Sequence, residues 1–232
     1  MCFSATASFS AGALLLGIGA LTLRSAGATR QPRALLFAAI PMLFAIQQLV
    51  EGLIWLTFTD ELPRVNAVMT HAYSFFSHVL WPVVVPMAVL LMEPNGWRRL
   101  ALIGFVAAGA AVGAYLLYAL LAYPIVSRPT GQHIEYVSPH FFAAVTMTLY
   151  LLSTAISPLL STHRMVVGFG ALALLSFGAA YAFFATWFIS VWCFFAALLS
   201  SVVYLHFRER EHQSQGAPPT AKRSTAHFSR GA

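Results

Sequence analysis

Charged residues are scarce in this chain. Only 9% of its 232 residues are Asp, Glu, Lys or Arg, whereas 59% are hydrophobic and the mean hydropathy is +0.76. A soluble domain carries roughly 25% charged residues, so this chain has too few to cover a water-facing surface. The composition excludes a soluble enzyme, a nucleic-acid-binding domain and a disordered chain, and it predicts a polytopic membrane protein whose partner is the lipid bilayer.

Long apolar segments account for most of the chain. A membrane-spanning helix needs roughly 20 predominantly apolar residues. The candidate spans run over about residues 5–23, 34–58, 65–91, 98–122, 139–157, 165–185 and 187–207. We therefore predict an all-α fold, a seven-helix transmembrane bundle over residues 1–208, with a disordered basic tail over residues 209–232. The single lysine, Lys222, lies in that tail, which excludes a retinal protein with a Schiff-base lysine in its last helix.

Basic residues are distributed unevenly between the two sides of the predicted bundle. Only Arg64 and Arg128 lie in the connections of one side. The other side carries Arg24, Arg30, Arg33, Arg98, Arg99, Arg164, Arg208, Arg210, Lys222, Arg223 and Arg230. Cytoplasmic connections are enriched in Lys and Arg, so the N-terminus is predicted to lie outside and the C-terminus in the cytoplasm. The predicted location is the inner (cytoplasmic) membrane. The net charge of +6 does not imply a nucleic-acid partner, because the basic residues lie at the helix ends and in the tail.

A few polar residues lie inside the predicted spans and share one depth. A charged side chain at the bilayer centre costs about 2.5–3.5 kcal/mol, so such residues mark candidate functional sites. Glu51 is the only carboxylate well inside a span, and Gln47 and Gln48 lie on the same helical face. The orientation also places Cys2, His71, His78, His140 and Cys193 in the outer half of the bundle.

These side chains predict a metal site. Imidazole and carboxylate suit zinc, iron or copper, and a thiolate shifts the preference towards zinc or copper. The predicted metal ligands are Glu51, His71, His78, His140 and Cys2, with Cys193 as a further candidate, and haem is a less suitable occupant. The role would be redox chemistry, metal handling or sensing. A structural alternative is that Glu51 only hydrogen-bonds His71 or Gln47 and that each histidine is a packed polar residue.

Several other functions stay open at this stage. In a membrane hydrolase, a zinc-bound water would attack a lipid ester or amide, with Glu51 as the catalytic general base. A proton-coupled transporter is less favoured, because no ionisable residue continues the path through the inner half. An accessory subunit of a membrane complex is a further alternative.

Two structural features also stay open. Cys2 and Cys193 could form a disulfide. The outer connection over residues 123–138 could be a solvated loop or a lid that supplies His133.

The opening residues Met1–Phe9 resemble the start of an uncharacterised family of bacterial integral membrane proteins. The resemblance extends through Gln47–Gly52 and the stretch from His71 to Pro82. It implies the same helical architecture for most of the chain, and it implies no particular chemistry.

A second stretch, Ser74–His78, resembles the Ser-x-x-x-His element of the seven-helix hydrolases related to alkaline ceramidase and the adiponectin receptors. That resemblance implies a zinc ion and hydrolysis of a lipid amide. The chain departs from the pattern in its last helix, where Trp192 and Cys193 stand in place of the His-x-x-x-His element of that family.

Overall fold

The chain folds into a helical bundle with a small β-hairpin at one end. The computed structural model describes residues 4–28, 32–138, 142–183, 188–205 and 207–208. Within these ranges, six helices are long and apolar enough to cross a membrane. They are α1 (Ala5–Ala28), α2 (Pro32–Thr59), α3 (Pro63–Met92), α4 (Trp97–Ala122), α5 (Ala143–Leu160) and α6 (Arg164–Phe183). A shorter apolar helix, α7, covers Phe188–Leu199.

The boundaries of the six long helices agree with the predicted spans to within a few residues. The largest difference is at α1, which continues past Leu23 to Ala28. Arg24 is exposed there and is a good helix former, so a basic residue at the predicted break does not end the helix. The predicted count of seven spans is not settled, because the seventh segment begins among residues 184–187, which lie outside the described ranges. Cys2, His140 and the tail from residue 209 also lie outside them.

Two of the helices contain a wider turn. In α3, a π-helical segment covers Phe75–Leu80, and in α5 another covers Leu152–Ile156. Pro82 has no N–H to donate to the carbonyl of His78, and the N–H of Trp81 bonds the carbonyl of Phe76. The insertion buries both Ser77 and His78. Such π-bulges occur frequently at functional sites.

Glycines allow close packing between neighbouring helices. A Cβ atom added at Gly19 would lie 2.8 Å from the backbone nitrogen of Met42, and one at Gly12 would lie 2.8 Å from the Leu49 side chain. A Cβ atom at Gly109 would overlap the carbonyl oxygen of Pro82. The α1–α2 and α3–α4 pairs are therefore in backbone contact, which small residues permit in membrane-type bundles.

The connection between α4 and α5 is a β-hairpin, an element that the sequence analysis did not predict within the mostly helical fold. Strands β1 (Val126–Thr130) and β2 (His133–Val137) are antiparallel, with Arg128 opposite Glu135. Gly131 takes φ 62° in the turn, a conformation that favours glycine. Buried Ile134 and Tyr136 alternate with half-buried Glu135 and exposed Val137, and this period of two was a strand signal present in the sequence.

Candidate functional site

The polar face of α2 forms the centre of the candidate site. Gln47, Gln48 and Glu51 are each 0% exposed, and their spacing places them on one side of the helix. That side faces α3 and α7, and the hairpin covers it at the end of the bundle where α2 ends and α3 begins. We name the region the Glu51 chamber, and we name the end that carries β1 and β2 the hairpin end.

Glu51 accepts hydrogen bonds from two neutral side chains. The amide Nε2 of Gln48 donates to Oε2, and the phenol of Tyr136 donates to Oε1, each at 3.4 Å. Charge-assisted bonds to a carboxylate usually measure about 2.7–2.9 Å, so both contacts are long. Tyr136 comes from the hairpin, and the carboxyl group therefore connects a helix of the bundle to the covering strand.

Two hydrogen bonds between α2 and α3 lie on either side of Glu51 along the helix. The indole Nε1 of Trp81 donates to Oε1 of Gln47 at 2.7 Å, and Nδ2 of Asn66 donates to the hydroxyl of Thr57 at 2.8 Å. The helices are antiparallel, so Glu51 lies between these bonds, level with the Ser74–His78 stretch of α3. Trp81 is also stacked on Phe44, with ring centroids 3.8 Å apart, which fixes its indole against α2.

The hairpin forms a roof over the chamber. Tyr136 stacks on Tyr73 of α3 with ring centroids 4.5 Å apart and planes 5° apart. Both rings pack in one buried cluster with Ile54, Ile134 and Cys193. On the other strand, the hydroxyl of Ser127 pairs with that of Thr70 at 2.8 Å and donates to Oδ1 of Asn66 at 3.0 Å. The roof is thus attached by side chains from both strands.

Several buried polar atoms around the chamber lack a hydrogen-bond partner within the described part of the chain. They are the hydroxyls of Ser8 and Ser74, Nε2 of Gln47, Oε1 of Gln48 and Nε1 of Trp55. Ser8 reaches this level because Phe9, its neighbour, packs on Gly52. Native structures leave few such atoms without a protein or water partner, so a cluster of them from three helices calls for an explanation.

The predicted metal ligands do not converge within the described ranges. His71 is half-buried, and its Nδ1 bonds the carbonyl of Ala67 in its own helix at 2.8 Å. His78 bonds the hydroxyl of Ser77 at 2.8 Å and the carbonyl of Ser74 at 3.1 Å through Nδ1. Among the residues that the structure describes, no group of three or more His, Cys, Asp or Glu side chains could hold a metal ion. The metal site therefore stays a prediction that depends on Cys2 and His140.

Cys193 is a further polar group of the chamber. It is a buried free thiol on α7 and lies beside Gln47, Glu51 and Tyr73. The sequence could not identify these neighbours. The structure thus brings a carboxylate and a thiol into one region of the bundle, and both are groups that can bind metals.

The sequence analysis left residues 123–138 open between a solvated loop and a lid that supplies His133, and it did not identify the hairpin. His133 is only 8% exposed at the start of β2, so its side chain is not solvated. Burial lowers the pKa of His133 below its ordinary value, because desolvation disfavours the charged imidazolium. A neutral imidazole therefore sits in the roof at neutral pH.

A second buried carboxylate lies at the opposite end of the bundle. Glu93 accepts hydrogen bonds from the hydroxyl of Ser161 at 3.3 Å and from the backbone N–H and hydroxyl of Thr162 at 3.1 and 3.4 Å. Arg99 donates to the carbonyls of Leu90 and Glu93 at 2.9 and 3.1 Å. These contacts connect the end of α3 to the α5–α6 turn. They account for the burial of the Glu93 carboxylate by a structural role.

Comparison with known proteins agrees with the resemblance seen in the opening residues. Neither a curated protein nor a solved structure matches the chain. A family model does match, over residues 1–218, which includes the whole Glu51 chamber. The prediction of an uncharacterised family is thereby confirmed, and the chain belongs to DUF6629, a family of unknown function.

Proposed function

We propose that this is an integral membrane protein with the hairpin end on the outer side of a bacterial inner membrane. Its six long helices have the length and apolar composition that a bilayer requires. Large apolar side chains are exposed on their surfaces, with Leu100 72% and Leu121 78% exposed. A soluble monomer rarely exposes apolar surface on this scale, whereas lipid chains cover it without cost. The excess of arginine at the opposite end supports the orientation.

We further propose that the protein binds a small polar ligand in the Glu51 chamber. The observation that supports this most strongly is the group of unpartnered atoms from Ser8, Gln47, Gln48, Trp55 and Ser74. Each buried polar group without a partner costs about 1–3 kcal/mol. Lipid chains cannot supply the missing bonds. A ligand that bridges these atoms would recover that free energy and would turn a destabilised region of the bundle into a binding site.

The unpartnered atoms specify the kind of ligand. Nε2 of Gln47 and Nε1 of Trp55 can only donate, and Oε1 of Gln48 can only accept. The hydroxyls of Ser8 and Ser74 can do both. The complementary molecule must therefore carry both acceptors and donors, as a hydroxylated, amide-bearing or zwitterionic solute does. An aliphatic chain alone would leave all of these atoms unsatisfied.

Native mass spectrometry of the protein, purified in mild detergent, tests this proposal. We expect a non-covalent adduct that survives release from the detergent. Replacement of Gln48→Met should weaken the adduct, because it keeps the length of the side chain and removes its amide. Gln132→Met is the matched control, since Gln132 is exposed in the hairpin turn. The same adduct-free spectrum for all three proteins would end the ligand-binding proposal.

A transition-metal site is a second candidate, favoured by the proximity of Cys193 to Glu51. Zinc or copper would need at least one further ligand, and Cys2 and His140 are the predicted sources. Elemental analysis of purified protein is the direct measurement, with Cys193→Ser and His140→Ala as variants. We expect a stoichiometric metal content that both substitutions reduce, whereas a metal-free wild-type protein would refute this candidate.

If the protein hydrolyses lipid esters or amides, Glu51→Gln should abolish turnover, because Glu51 is the proposed general base.

A further inference from the structure

We infer that the β-hairpin is the gate of the Glu51 chamber and that the ligand is a water-soluble solute that enters beneath it. This inference rests on the proposed ligand-binding function. It combines two observations. The polar atoms that would hold a ligand are enclosed, and the hairpin differs from the other described walls in being a separate element attached by side chains.

The chamber is closed in the described conformation. Gln47, Gln48 and Glu51 have no exposed surface, and Cys193 beside them is 4% exposed. A solute therefore cannot reach these groups until a wall moves. Which wall moves decides whether the ligand arrives from the lipid or from water.

The helical walls are held by backbone packing. Along the α1–α2 contact, Gly12 faces Leu49, Gly19 faces the backbone of Met42, and Gly52 faces the ring of Phe9. These approaches involve residues 9–19 of α1 and residues 42–52 of α2. To separate α1 from α2 would expose an extended interhelical surface, and lateral entry of a lipid by that route would be slow.

The α2–α3 contact is also closed next to the chamber. The Trp81–Gln47 bond lies on one side of Glu51, and the Asn66–Thr57 bond lies on the other. Behind α3, the carbonyl of Pro82 contacts Gly109 so closely that no Cβ atom fits. The wall formed by α2 and α3 thus carries cross-links above and below the site.

The hairpin is attached to the helices through side chains from both strands. Ser127 joins it to Thr70 and Asn66, and Tyr136 joins it to Tyr73 and Glu51. On the side of β1 opposite Ser127, the side chains of Val126 and Arg128 are exposed. Local opening favours elements with few buried contacts, and a two-stranded hairpin of this size is only marginally stable by itself.

The roof and the ligand site are chemically coupled through Tyr136. Its phenol is bonded to Glu51, so displacement of the hairpin removes a donor from the carboxyl group and uncovers Cys193. The route leads from the polar outer face of the hairpin directly to polar atoms of the chamber. It suits a solute that is hydrated before it binds.

The rate at which Cys193 reacts with thiol reagents reports on the gate. The protein is prepared in right-side-out vesicles with Cys2→Ser, so that Cys193 is the single native thiol. The double variant Thr70→Cys/Ser127→Cys replaces two hydroxyls whose oxygen atoms lie 2.8 Å apart, so the two introduced thiols face each other and oxidation can join them. A membrane-impermeant trimethylammonium methanethiosulfonate is the probe, and the modified Cys193 peptide is quantified by mass spectrometry.

We expect oxidation of the double variant to slow labelling of Cys193 by about tenfold or more, because the disulfide removes the local opening. Prior reduction should restore the rate. Thr70→Cys alone is the matched control, since it cannot form the bond and should label at the unlocked rate.

Three results would overturn the inference. In the first, the disulfide leaves the labelling rate of Cys193 unchanged. In the second, Cys193 is not labelled even in the protein without the disulfide. The third is labelling by membrane-permeant N-ethylmaleimide that is fast while the impermeant reagent fails, which would indicate entry from the lipid. These results are independent of the mass spectrum, so a missing adduct would refute the ligand while leaving the gate intact.

Discussion

Tyr136 and Glu51 are 85 residues apart in the chain, and the phenol of the first donates a hydrogen bond to the carboxyl group of the second at 3.4 Å. The contact brings together a hairpin that the sequence did not predict and the one acidic residue that it singled out. It also gives the hairpin a role, because the strand that covers the chamber supplies part of its polar lining.

Removal of the Tyr136 hydroxyl should weaken the attachment of the hairpin without disturbing the packing of the ring. Tyr136→Phe keeps the ring that stacks on Tyr73 and deletes only the hydroxyl. We expect the free energy of unfolding to fall by about 0.5–1.5 kcal/mol, the usual net value of one hydrogen bond. Thermal unfolding in detergent measures the change, with Tyr118→Phe as the control because Tyr118 is 62% exposed on α4. An equal effect of both substitutions would argue against the Tyr136–Glu51 bond.

The bond between Trp81 and Gln47 should contribute more to stability. Trp81→Phe keeps an aromatic ring against Phe44 but removes the donor to Oε1 of Gln47, which lies in a side chain without exposed surface. A buried acceptor left without a donor costs about 1–3 kcal/mol. Trp97→Phe, at a 70% exposed position, is the control. Chemical denaturation of both variants would show whether the loss is confined to Trp81.

The positions of the six long helices could be predicted from the lengths of the apolar segments alone, because a helix that can cross a bilayer needs about 20 such residues. The common face of Gln47, Gln48 and Glu51 followed from helical periodicity. The hairpin was missed although His133–Val137 alternates and Gly131 follows Thr130 at the turn. A search for spans of about 20 residues does not register strands of five.

The composition of the site was harder to predict than its depth. Helical periodicity places His71 and His78 on one stripe, but it does not say what each ring bonds. His71 bonds a carbonyl of its own helix, and the π-helical turn changes the register around His78. The contributions of Tyr136 and Cys193 depend on tertiary packing of the hairpin and α7. No local pattern in the sequence carries that information.

Gly109 should be intolerant of any side chain. Gly109→Ala would push a methyl group into the carbonyl oxygen of Pro82, a backbone atom that cannot rotate away. Overpacking of this kind typically costs about 1–3 kcal/mol. Gly104→Ala is the matched control on the same helix, because a Cβ atom there meets nothing within 4 Å. We expect Gly104→Ala to be neutral or slightly stabilising, since alanine favours helix formation by about 1 kcal/mol over glycine. Similar unfolding temperatures for the two variants would contradict the close α3–α4 contact.

The neutral His133 should make the hairpin sensitive to acid. Its pKa is lower in the folded protein than the ordinary value of 6.5, so the unfolded chain binds the proton more tightly. The contribution of His133 to stability is therefore complete above about pH 6.5 and is lost as the pH falls through the lower, folded pKa. Thermal unfolding followed from about pH 7.5 to about pH 5 should show a steeper loss in the wild type than in His133→Gln, which cannot titrate. Parallel curves for the two proteins would mean that the imidazole is charged, or equally accessible to protons, in both states.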